Sequence, residues 1–138
     1  MYDPLEDLSV RYPQVTLATA AIRPAHAALV GGCLLLVDAS LDARQRRCSI
    51  AHEIAHLDLA HTATGNRAFA RRQEVEADRL ASTRLISFEQ LREAVRWCTD
   101  ERDLAEQLQV SEQALSIRRT LLSAEEISDL HAGARCYG

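Results

Sequence analysis

Residues 51–57 read Ala51-His52-Glu53-Ile54-Ala55-His56-Leu57. Two histidines four apart stand one turn apart on one face if the segment is helical. Their imidazoles can then share one metal ion. Glu53 projects beside it, placed to take a proton from a metal-activated water and hand it to a leaving amine. The helical pattern runs beyond the motif, over residues 42–60. At about 100° per residue, Ile50, Ile54 and Leu57 share an apolar stripe, and His52 and His56 lie roughly opposite. Such a helix has one face for a core and another for chemistry. The motif is short, however, and polar residues at ordinary spacing on a solvated helix would give the same letters.

The upstream residues supply a sheet. Residues 3–12 predict a short helix, with Asp3 as cap and Pro4 at its first position, ended by Pro13. Residues 15–20 read as a strand. Gly31-Gly32 separates two apolar runs, 26–30 and 33–37, as expected of a hairpin whose turn needs positive φ. The expectation is an α+β fold: a small three-stranded, mainly antiparallel sheet packed on the H-E-x-x-H helix, followed by a helical C-terminal part.

Downstream, a helix is predicted over 68–86 and another from Phe88 to Cys98. Thr99 and Asp100 can cap a segment carrying Leu104, Ala105 and Leu108. After Val110-Ser111 a further helix carries Ala114, Leu115, Ile117, Leu121 and Leu122. Ser123-Ala124-Glu125-Glu126 opens the last one, and the tail is expected to fray from about Ala132. This suggests a site-bearing part over 1–98 and a helical extension over 99–138 packed on it. Residues 101–122 have the outline of a helix-turn-helix.

Composition narrows the classes. The chain has 138 residues, 47% of them hydrophobic, which is enough for one packed domain without disulfides. Its formal net charge is −4, so it has no general attraction for nucleic acid. The helix-turn-helix outline carries Glu101, Asp103, Glu106 and Glu112 against Arg102, Arg118 and Arg119, which disfavours a DNA-reading face. All the basic residues are arginines. Cys33, Cys48, Cys98 and Cys136 form no C-x-x-C pair, which excludes a zinc ribbon. The opening residues lack a basic and an apolar region for export, and no apolar run approaches the ~20 residues of a membrane span. A cytoplasmic protein with reduced thiols is expected.

A catalytic zinc ion with two histidines needs a third protein ligand, and a later glutamate is the usual complement. The stretch Gln73-Glu74-Val75-Glu76-Ala77-Asp78 offers two. Glu74 and Asp78 are four apart and share a face, whereas Glu76 points about 200° from Glu74. Glu74 is therefore the expected ligand, with Glu76 the alternative. Asp78 is expected to accept the free ring N–H of a ligand histidine from outside the metal. Without the upstream motif, these acids would be read as partners of Arg71, Arg72 and Arg79.

His61 follows His56 too early for the three-histidine H-E-x-x-H-x-x-G-x-x-H arrangement, and no glycine breaks the helix there. On a continuing helix it would point away from His52 and His56. His26 and His131 stand alone; one of them, or an arginine or tyrosine, would have to stabilise a tetrahedral oxyanion. Cys48, one turn before His52, reads as a small buried residue rather than a nucleophile, since no base is patterned beside it.

The run Ala51 to Leu57, followed by Glu74-Val75-Glu76-Ala77-Asp78-Arg79-Leu80-Ala81, resembles the ImmA/IrrE family of metallopeptidases. The family order is a helix, a small sheet, the H-E-x-x-H helix, and an E-x-E-A-N/D-x-F-A helix. Asp103-Leu104-Ala105-Glu106-Gln107-Leu108-Gln109-Val110-Ser111 is similar to its later L-A-x-x-F-x-V-S segment, so the resemblance spans roughly residues 5–122. Leu80 replaces the common phenylalanine, and Leu85-Ile86-Ser87 replaces L-L-M-P, so the exit from that helix should differ. The resemblance implies one Zn2+ per chain and a zinc endopeptidase of narrow specificity. Its protein substrate would be a helix-turn-helix repressor, whose cleavage switches on the repressed genes. The alternative is a non-catalytic regulator that binds a repressor or DNA.

Overall fold

The computed structural model describes residues 1–98 and 100–135. Helix α1 (Pro4–Arg11) starts where Asp3 accepts hydrogen bonds from the Leu5 and Glu6 amides. Three strands follow: β1 (Thr16–Ala20), β2 (Ala27–Val30) and β3 (Leu34–Asp38). Gly31 and Gly32, at φ 60° and 74°, make the turn between β2 and β3, which only glycine adopts freely. These two strands pair antiparallel, with Val30 opposite Leu34.

The sheet order is β1-β3-β2, and β1 runs parallel to β3 with Thr16 opposite Leu34. The sheet is therefore mixed, not mainly antiparallel. The reason lies at Asp38. Residues 21–26 carry the chain around the end of β3 instead of turning back beside β1. The Asp38 carboxylate accepts the Ile22 amide at 3.0 Å, and its own amide donates to the His26 carbonyl at 2.8 Å. The crossover is thus pinned from both sides of one residue, and β2 becomes an edge strand.

Helix α2 (Ala43–Asp58) opens with a capping box between Asp42 and Gln45. It is the central element of an α+β fold. Ile50 and Ile54 bury one face in a cluster with Leu8, Leu35 and Val37. Ala51 and Ala55 bury the next face in a second cluster, formed by α3 (Arg67–Leu85), α4 (Phe88–Ala94), α5 (Glu101–Leu108), α6 (Glu112–Thr120) and α7 (Ala124–Arg135). Leu104, Leu108, Val110 and Leu115 belong to the same cluster as Ala77, Ala81 and Leu85, so α5 and α6 pack into one core with α3.

Some boundaries differ from the sequence reading. Helix α4 stops at Ala94, because Arg96 and Trp97 donate to carbonyls only three residues back and tighten the chain out of the helix. Asp100 caps α5 by accepting the Asp103 amide; Thr99 and Cys136 lie outside the described residues. Helix α7 continues through Arg135 rather than fraying at Ala132. No helix among the described residues is long and apolar enough to cross a membrane.

Candidate metal centre

Helices α2 and α3 bring three side chains to one point. The Nε2 atoms of His52 and His56 are 3.0 Å apart. Glu74 reaches both, with one oxygen 2.9 Å from His52 Nε2 and the other 3.0 Å from His56 Nε2. One ligand atom from each of the three lies within 4.8 Å of the others. Asp78, one turn beyond Glu74, stands 2.9 Å from His52 Nδ1. A carboxylate only accepts, so the Nδ1–H of His52 donates to it, and in the neutral ring Nε2 keeps its lone pair for a metal. Two imidazole nitrogens and a carboxylate then face one another, His52 Nε2, His56 Nε2 and Glu74. This donor set suits a cation and is poorly satisfied without one.

The surrounding charges act on the two rings in opposite directions. Burial opposes a charge on His52, but Asp78, then Glu74 and Glu53, outweigh it and raise its pKa. Burial, His52 and His61 together lower that of His56 against the pull of Glu74. The Glu53 carboxyl is raised, first by burial and then by Glu74, with His52 opposing. A carboxylate so raised is a better proton acceptor than a solvated one.

Glu76, the alternative acid, is elsewhere. Its carboxylate is 3.0 Å from His61 Nε2, and His61 Nδ1 is 2.9 Å from His56 Nδ1. His61 therefore does not point away, because α2 does not run on. Ala60 takes φ 53°, the Ala60 amide donates to Leu57 at 3.2 Å and the His61 amide to His56 at 3.1 Å. This is a Schellman ending with alanine where glycine is usual, at a cost of roughly 1–2 kcal/mol for the left-handed residue. Gln73, only 8% exposed, then clamps the following loop: its amide both accepts from and donates to the Thr62 backbone at 2.9 Å. The sequence holds no glycine to announce that reversal. The only available signal was the polar break that follows it.

A cleft of about 470 Å3 opens from this point and includes His52, Glu53, Glu74 and Asp78. Beyond them its walls are uncharged, with Cys48 and Ser49 from α2, Ala81 and Leu85 from α3, and Ala114 and Ile117 from α6. His26 and Ala27, at the start of edge strand β2, line the other side. His131 is not among the lining residues, and no arginine or tyrosine is among those described. Cys48 is half-buried, and its sulfur accepts the Ser111 amide at 3.4 Å.

The IrrE N-terminal-like domain, a peptidase family, matches residues 6–120. The chain belongs to that family. The matched segment begins in α1 and ends at the last residue of α6, so it takes in the whole constellation. Membership gives this IrrE-like chain a metallopeptidase-type function, and its His52, His56 and Glu74 lie close enough to bind a metal ion. No curated protein and no solved structure gives a significant match to the chain.

Proposed function

We propose that the chain is a zinc-dependent endopeptidase of narrow specificity, holding one Zn2+ through His52, His56 and Glu74. The observation that supports this best is the convergence of two imidazole nitrogens and a carboxylate beside a half-buried glutamate in an open cleft. A zinc ion bound there would polarise the scissile carbonyl and acidify water. The protein's own groups do the rest. Asp78 holds the His52 ring and its tautomer. Glu53, with its raised pKa, accepts the proton of the attacking water and then returns it to the leaving amine. His26 is the candidate donor for the developing oxyanion: it is exposed at the cleft wall, where no arginine or tyrosine is found among the described residues. A substrate strand would lie extended along the free edge of β2, whose first residue lines the same cleft.

The substrate is a protein, and a helix-turn-helix repressor is the class carried over from the family resemblance; the chain would then act in the cytoplasm as an antirepressor. Direct DNA reading is the weaker alternative. Helix α6, the would-be recognition helix, packs on α3 and lends Ala114 and Ile117 to the cleft, so part of its surface is already occupied.

Elemental analysis and a cleavage assay test this together. Purified chain should hold about one zinc, Glu74→Ala should lose it, and Glu53→Gln should keep it while no longer cutting repressors that the wild type cuts. Cleavage at the wild-type rate by Glu53→Gln removes the mechanism; a wild type that takes up no zinc removes the enzyme.

A further inference from the structure

The two histidines of the constellation are held in different ways. His52 leans directly on a carboxylate, Asp78. His56 has no carboxylate on its Nδ1; it has His61, and behind His61 stands Glu76. We infer that His61, anchored by Glu76, is a positioning residue that fixes the ring and tautomer of His56, and so sets the affinity of the site for its metal. The inference rests on the metallopeptidase reading above.

Proton accounting along the chain of atoms leaves little choice. Glu76 accepts, so His61 donates to it through Nε2–H at 3.0 Å. The Nδ1 of His61 then carries a lone pair. It can only accept, and the group 2.9 Å away is Nδ1 of His56, which must supply the hydrogen. A neutral imidazole protonated on Nδ1 has its lone pair on Nε2, the atom that faces His52 and Glu74. Each candidate ligand thus has its outward nitrogen committed to an acceptor and its inward nitrogen bare. One arrangement is direct, and the other passes through a second ring.

The backbone is shaped to deliver that ring. The Schellman ending turns the chain back under α2, with Ala60 in the left-handed region and the His61 amide bonded to the carbonyl of His56 itself. The His61 side chain is only 10% exposed, so water competes weakly for its nitrogens. Gln73 holds the next residue, Thr62, against α3, the same helix that presents Glu76. A histidine serving only to close a helix would not need an acid on its far nitrogen.

The experiment is a zinc titration of the full chain against a chelating indicator, with the melting temperature of the metal-free protein measured in parallel. His61→Ala should weaken zinc binding by roughly 10–100-fold, the usual effect of removing a partner behind a metal ligand. His61→Asn, whose side-chain oxygen can accept from His56, should recover part of the loss. Glu76→Gln should weaken binding less, and His61→Ala with Glu76→Ala should be no worse than His61→Ala alone, because Glu76 acts through His61. Wild-type affinity in both His61→Ala and Glu76→Gln would overturn the inference and leave the metal reading standing. So would losses that follow the metal-free melting temperature, with Asn no better than Ala. A wild-type chain that binds no zinc would overturn both.

Discussion

Leu115→Ala measures whether the helical extension and the site-bearing helices are one cooperative unit. Leu115 is fully buried on α6, in the cluster that contains Ala51 and Ala55 of α2 and Ala77 and Ala81 of α3. The substitution removes three carbons, at about 0.8 kcal/mol each, or roughly 2.4 kcal/mol of transfer free energy. A cavity adds to this, by an amount that depends on how far the neighbours can move in. Here many cluster members are alanines, which have no side-chain rotamer to swing. The total should therefore sit in the upper part of the ~2.7–5 kcal/mol range for buried leucines, near 4 kcal/mol. Against a typical ~5–15 kcal/mol of stability this is a large share. Urea unfolding followed by far-ultraviolet circular dichroism should show one transition at a lower midpoint with an unchanged slope. A cost below about 2 kcal/mol would mean that the core collapses around the hole, against the reasoning from alanines. Two transitions, the first confined to residues after 98, would mean that the extension unfolds on its own.

Two other expectations concern the cleft and the sheet. His26→Ala should lower kcat by roughly 10²–10³-fold, as for loss of one oxyanion donor, with zinc content unchanged; an unaltered kcat would take His26 out of the reaction. Asp38→Asn probes the crossover pin. The Ser40 hydroxyl is the main group holding the Asp38 carboxyl below its usual range; burial opposes it, and the Ile22 and Ser40 amides assist. Its stabilising contribution is thus complete above the unfolded value of about 4 and is lost as the pH falls toward the lower folded value. The variant should be less stable than wild type at neutral pH and should lose less stability between about pH 5 and 3. An acid limb identical to wild type would show that this carboxylate is not linked to folding.

Much of the site is visible in the sequence because helical geometry translates spacing directly into position. His52 and His56, four apart, meet at one point, and so do Glu74 and Asp78 on the facing helix; both inferences use only the residues of one helix. What escaped depends on chain reversals. The parallel pairing of β1 with β3 follows from a carboxylate, Asp38, that gathers backbone amides from two sides of a crossover, and strand patterns do not encode which neighbour a strand will choose. The side on which His61 falls depends on whether α2 runs on, and the usual signal for ending a helix, glycine, is absent because Ala60 takes its place. Nothing in the letters around Gln73, at the head of an acidic stretch, marks it as buried. Yet it is buried, holding the loop that turns His61 inward.

Helix α2 touches the sheet with its isoleucines, the helical cluster with its alanines and the cleft with His52 and Glu53. These three sets are interleaved along one short segment, and each is matched in size to its own neighbour. A turn of the helix about its axis by a single residue, about 100°, would press an imidazole into the sheet or an isoleucine into a gap sized for a methyl group. The helix behaves like a key with differently cut sides, seated in a lock that admits one orientation. Substitutions that leave the motif letters untouched, such as enlarging Ala51 or Ala55, would therefore disturb the chemistry by rotating the key.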